Sequence, residues 1–440
     1  MNRIKVYILM KMACKFFLVF FLFINLTGFV FSQAWKKAST SEKLQLALDS
    51  LKIKYPDVVN NPAKYRLKIV YTEVNRNEFG AKTELVGFRT DEKEFLYPTS
   101  AIKLPVALIA LEKLELLKLN YPKLELNSKL KFIQKKGVLP SKSQVVLNGL
   151  YYYPSLDFFM KQMIGVSDND AYNYLFEFNG QELLVNRLKE LKYNNARITR
   201  KYLLNCSLDQ NRISDSMVFF GNRSELIYSK PVTVFNDSMY GDSTFKLGKS
   251  YVGLDKKNIE RPFDFSKQNY IDVLDLHKTL QGVIFPESKS AITYNLNENH
   301  RKFILKQLSL YPQELGLKYS ELQYYPTYTK FNFFGRDSRI SFSNDSLFRF
   351  RSFNVSGISF GCVIDASYVI DVQKGKEFIL TIGMYANTDE VVNDNSYDYE
   401  RIAYPFMKEL GRIIMRNTPD NSFTTDYLKS YLKQLEILVK

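Results

Sequence analysis

Apolar positions recur with a helical period over residues 41–53, then give way to two runs rich in β-branched and aromatic residues, 65–75 and 82–89. The Arg76-Asn77-Glu78-Phe79-Gly80 link between those runs reads as a hairpin. A third pattern, the apolar run 106–119 punctuated by Glu112, Lys113, Glu115 and Lys118, predicts a helix that begins at or near Ser100. Thr99 or Ser100 offers a capping hydroxyl there, and Pro105 is near enough to the start to be tolerated. Residues 120–200 are mostly helical in pattern, most clearly at 155–164 and 181–191. From 203 to 264 the chain turns to Asn, Asp, Ser, Gly and aromatics, the composition of a loop-rich insertion. Helical spacing returns at 270–283 and 297–309. Strands are then expected at 347–354, 358–364, 368–372 and 378–385, and helices at 399–415 and 424–438. There is no internal repeat.

Strands at both ends and helices between them predict an α/β (α+β) fold: an antiparallel sheet built from both chain ends and flanked by helices, with an inserted all-helical lobe. Residues 33–99 and about 345–440 would form the α/β lobe, and about 100–344 the mainly helical lobe.

The first 32 residues stand apart. Arg3, Lys5, Lys11 and Lys15 precede an apolar stretch, 16–30, and Val30-Phe31-Ser32 offers a small-residue cleavage site before Gln33. The stretch is short for a membrane span and carries Asn25. Residues 1–32 are therefore read as a cleavable signal peptide, and the protein as exported to the periplasm. The formal charge of +15 loses four units with that segment, and what remains is dispersed without a basic run. A solvated basic surface is expected, and no nucleic acid partner. Cys206 and Cys362 survive cleavage; one disulfide and two buried thiols are both compatible with their number. His277 and His300 have no neighbour at metal-ligand spacing, so no metal and no cofactor is expected, and a monomer is the simplest state.

The chemistry is concentrated at Ser100 and Lys103. Residues three apart share a helical face, so the amine sits one turn above the hydroxyl, a nucleophile beside a base. A second cluster, Ser167-Asp168-Asn169, follows downstream. The contexts Tyr97-Pro98-x-Ser100-x-x-Lys103-Leu104-Pro105 and Met163-Ile164-x-Val166-Ser167-Asp168-Asn169-x-Ala171 together resemble the class A β-lactamases and penicillin-binding proteins. The resemblance covers roughly residues 65–415, closely at these two motifs and loosely elsewhere.

That resemblance implies a cleft between the lobes and a serine hydrolase acting through an acyl-enzyme. Ser100 would be the nucleophile, Lys103 its base or relay, and Ser167 the donor of a proton to the leaving nitrogen. Asn169 would bond substrate and Lys103, with Asp168 turned inward to hold the loop. Read from the residues alone, Ser167 and Asn169 also fit as caps of a helix over 170–178.

The family's third motif, Lys-Thr-Gly, is absent. Its best-placed substitute is Val355-Ser356-Gly357: Ser356 keeps a hydroxyl, Gly357 keeps room for substrate, and the Ile358 N–H would pair with that of Ser100 as an oxyanion hole. Val355 removes the cation. Arg351 shares its strand parity and is a candidate replacement, an ordinary surface arginine being the other reading. For a deacylating carboxylate, Glu182 lies inside a predicted helix and Asp209 has a short side chain, so acylation is better supported than rapid turnover. The expected substrate is a small-molecule β-lactam or a peptidoglycan-derived amide or ester. D,D-peptidase-like or esterase activity is the nearest alternative. A catalytically decayed envelope-binding protein is the alternative outside enzymes.

Overall fold

The computed structural model describes residues 33–147, 150–203, 206–236, 244–315, 327–336 and 349–437. The predicted signal peptide, 1–32, lies outside the described residues. Five antiparallel strands form the central sheet: β1 (Lys68–Asn77), β2 (Gly80–Phe88), β3 (Phe350–Ser359), β4 (Cys362–Asp371) and β5 (Lys376–Tyr385), in the order β3-β4-β5-β1-β2. The amino-terminal hairpin thus joins the carboxy-terminal meander through β1 and β5, with Lys68 opposite Gly383. Such a junction buries both faces of β5 and β4, whose every residue is buried, and leaves β2 and β3 as edges.

Strand parity divides the core in two. Ile364, Ala366, Tyr368 and Ile370 of β4 face the helical lobe, while Val363 and Val369 pack with Phe378, Leu380 and Ile382 beneath the terminal helices Thr40–Lys52 and Tyr404–Asn417. The first of these helices begins where Ser39 and Glu42 make a reciprocal capping box. His277, on helix Val273–Ile284, is buried between the Thr72 hydroxyl (2.7 Å) and the Thr381 hydroxyl (2.9 Å). Burial pushes its imidazole down to about 3, so it is a neutral bridge from helix to sheet. His300 pairs with Glu115. Cys206 and Cys362 are both free thiols, and both are buried.

Three local expectations change. The four predicted carboxy-terminal strands are three, because Phe360 and Gly361, with φ of +52° and +78°, form a two-residue turn between Ser359 and its partner Cys362. Apolar residues recur straight across it (Ile358, Phe360, Cys362, Ile364), so periodicity alone does not mark that reversal. Residues 120–200 also hold strand Lys129–Ile133, which pairs with Ser216–Phe220 and through it with Leu226–Lys230. Finally, the helix expected from Ser100 begins as a 3₁₀ turn, Thr99–Ile102, and becomes α-helical at Lys103. The Ser100 hydroxyl therefore caps nothing.

Candidate active site

Lys103 sits at the start of helix Lys103–Lys118 with its side chain excluded from solvent. Its Nζ lies 3.1 Å from Ser100 Oγ, 2.5 Å from Ser167 O, 3.0 Å from Ser167 Oγ and 2.8 Å from Asn169 Oδ1. Desolvation pushes the ammonium down to about 7, partly opposed by the negative charge of Asp168. An amine near neutrality beside two hydroxyls can take a proton from one and return it through the other. Among the described residues no carboxylate pairs with Lys103, so nothing holds it firmly as a cation.

Ser100 is held by strain and contact. Thr99 has φ +52°, a left-handed conformation that a β-branched residue adopts at a cost of about 1–3 kcal/mol. Tyr202 fixes that bend by donating its hydroxyl to Thr99 O at 2.6 Å, and its ring lies 5.4 Å from Lys103 Nζ. Gly357 on edge strand β3 closes against the same turn: a Cβ there would fall 1.8 Å from Thr99 Oγ1 and 2.4 Å from Ser100 N. Only glycine permits that approach, which places the Ile358 residue, 38% exposed, beside the serine.

The second motif is positioned by its own helix. Asp168 caps helix Asn169–Asn179, accepting from Ala171 N at 2.6 Å, so the capping role considered for Asn169 and Ser167 falls to their neighbour. Asn169 is left in the first turn with Oδ1 on Lys103, and Ser167, at φ +58°, turns both its carbonyl and its hydroxyl to the same amine.

The third-motif residues divide. Val355 is a buried core residue. Ser356 donates its hydroxyl to Thr329 O at 2.6 Å. Arg351 does not supply the missing charge: although its parity matches Val355, four residues of strand separate them by about 13 Å. Its guanidinium is buried in a bidentate pair with Glu314 (2.6 and 2.8 Å) over the Tyr311 ring, so it is not a surface arginine either. Glu182 is exposed on helix Gln181–Glu190, and Asp209 points to solvent beside Arg212. Tyr202 and the strain at Thr99 went unnoticed in the sequence, because a tyrosine about a hundred residues from its partner leaves no local pattern.

A profile of the beta-lactamase enzyme family matches residues 57–307. That is more than half of the chain, and the chain belongs to this family. The match ends before Val355. Solved structures similar to it include a representative of class A beta-lactamase from Bacteroides cellulosilyticus, at 12% identity over 87% of this chain and 99% of that one, TM-score 0.44. An ancestral class A beta-lactamase is 13% identical over 83% and 99%, TM-score 0.42. The beta-lactamase from Streptomyces albus G is 12% identical over 84% and 99%, TM-score 0.41. No curated protein matches the chain.

Proposed function

We propose that the protein is an exported serine hydrolase that forms an acyl-enzyme through Ser100 on a β-lactam or a related cell-envelope amide or ester. The observation that carries this reading is the contact of one desolvated amine, Lys103 Nζ, with Ser100 Oγ, Ser167 Oγ and Asn169 Oδ1. In the neutral form Lys103 accepts the Ser100 proton as Oγ attacks the carbonyl carbon. The oxyanion is met by the backbone N–H of Ser100 and of Ile358, at the head of a helix whose dipole favours negative charge. The proton then passes by way of Ser167 to the leaving nitrogen or oxygen, and that bond breaks.

Deacylation is the slow half. Neither Glu182 nor Asp209 reaches the serine, and Tyr202 rather than a carboxylate lies against Lys103. A long-lived acyl-enzyme is therefore expected. The amino-terminal segment supports periplasmic delivery, where such substrates occur.

Intact-mass analysis of the mature protein after a fluorescent penicillin and, separately, a fluorophosphonate tests the reading. One adduct per chain, absent in Ser100→Ala, is the expected result. Folded wild-type protein that takes up neither reagent would leave a binding protein without turnover as the better description.

A further inference from the structure

The loop-rich insertion builds a second feature beside the catalytic amine. A cavity of about 570 Å³ opens next to Asn169 and is walled by Tyr97, Tyr251, Phe263 and Phe360, with two cations, Arg200 and Lys201, in its lining. Phe263 and Phe360 stack with centroids 5.7 Å apart, Tyr251 meets Phe263 edge-on at 5.0 Å, and Tyr97 meets Phe360 at 6.1 Å. These rings come from separate places: the approach to Ser100, the insertion, and the turn after β3. Pairing of Ser250–Val252 with Asn258–Ile259 and, in parallel, with Val391–Val392 ties the insertion down as a wall.

Arg200 is fixed before any ligand arrives. Its N–H donates to Asn269 Oδ1 (2.9 Å), and its carbonyl accepts from the Tyr172 hydroxyl (2.8 Å) and Asn269 Nδ2 (2.9 Å). The next residue, Lys201, is locked in a fully buried pair with Glu177 at 2.7 Å. One guanidinium nitrogen donates to Cys206 O at 2.7 Å. Among the described residues no carboxylate pairs with Arg200, and none lines the cavity. A pre-set guanidinium in an aromatic, acid-free cavity is a carboxylate receptor.

We infer that this cavity binds the acyl arm of the substrate, and that it selects an arm carrying both an aromatic or bulky apolar group and a carboxylate, the latter held by Arg200. The inference rests on acylation at Ser100 for the delivery of that arm but not for the recognition itself.

Two penicillins test it, identical except that the phenylacetyl arm of one bears an α-carboxylate. Adduct formation at Ser100 is followed by intact mass at limiting reagent. In wild type the carboxylated reagent should acylate about tenfold faster, the worth of one charge-assisted hydrogen bond. Arg200→Ala should bring the two rates within about twofold, Arg200→Lys should keep part of the preference, and Phe263→Ala should slow both reagents. Equal rates in wild type overturn the proposal. So does a preference that survives Arg200→Ala, because the general positive field of a basic chain would then suffice. If Ser100 takes up neither penicillin nor fluorophosphonate, the hydrolase reading fails by itself, and calorimetric binding of phenylmalonate against phenylacetate decides the cavity. An Arg200-dependent preference for phenylmalonate supports it, and equal or absent binding ends it.

Discussion

Lys103 and Lys330 are each only 1% exposed, and burial pushes each ammonium down to about 7. Their surroundings differ in one chemical respect. Lys330 Nζ donates to Leu308 O (2.9 Å), Ser352 O (2.7 Å) and Asn354 Oδ1 (2.7 Å), three groups that only accept. Three ammonium protons match three such oxygens, none of which can hand a proton back, so this lysine staples segment 327–335 to edge strand β3. Lys103 has two such acceptors, Ser167 O and Asn169 Oδ1, but it also meets two hydroxyls, each able to donate or accept, and can exchange its proton with them. Desolvation alone does not suit a lysine to act as a base; a partner that can reverse the direction of the hydrogen bond does.

The sharpest way to break this contrast is to replace each lysine by methionine. Lys103→Met should cut the rate of Ser100 acylation by about 10²–10⁴, and should also cost about 1–3 kcal/mol of stability because Ser167 O and Asn169 Oδ1 lose their donor. Lys330→Met should lower stability by about 3 kcal/mol by leaving three buried acceptors unmet, as read from the denaturant midpoint, while the acylation rate of the folded protein stays within about tenfold of wild type. Similar losses of acylation rate in both variants would erase the distinction.

Gly357→Ala is expected to come next in size. Its methyl would displace Thr99 and Ser100 N, slowing acylation by about ten- to a hundredfold and costing about 1–3 kcal/mol. The pH profile should then follow the amine. Because the neutral form is the base, acylation should rise about tenfold per pH unit below about 7 and level off above it. A rate flat from pH 5 to 9 would remove Lys103 as the group whose proton matters. The smallest effect belongs to Tyr202→Phe, which deletes the bond to Thr99 O and keeps the ring. A loss of about 1 kcal/mol in stability and a severalfold slower acylation are expected, measured by thermal unfolding and by intact mass.

Much of the framework was legible because its determinants are local. The period of residues 41–53 defines one helix, whose start the structure places at the Ser39–Glu42 capping box. The helix after Asn169 was legible although its cap is Asp168 and not the Ser167 or Asn169 expected, and the one-turn spacing of Ser100 and Lys103 survives the change from α to 3₁₀ geometry at the first turn. The order of apolar runs was enough to join both chain ends in one sheet. Less legible were the reversal at Phe360-Gly361, where two left-handed residues fall within one apolar-rich stretch, and the strand Lys129–Ile133 within 120–200, whose partner Ser216–Phe220 comes from the insertion.

By itself the sequence determined which residues could do the chemistry: a hydroxyl and an amine one turn apart, and a Ser-Asp-Asn loop opening a helix. Tertiary structure alone decided what surrounds them. It set Gly357 against Ser100 across some 250 residues, gave Arg351 to Glu314 instead of to the cleft, brought Tyr202 to the strained Thr99, and gathered Arg200 with rings from three separate segments. The reason is physical. Contacts within a helical turn follow from fixed backbone geometry, whereas contacts across the cleft follow from sheet register and the packing of two lobes, which no short spacing encodes.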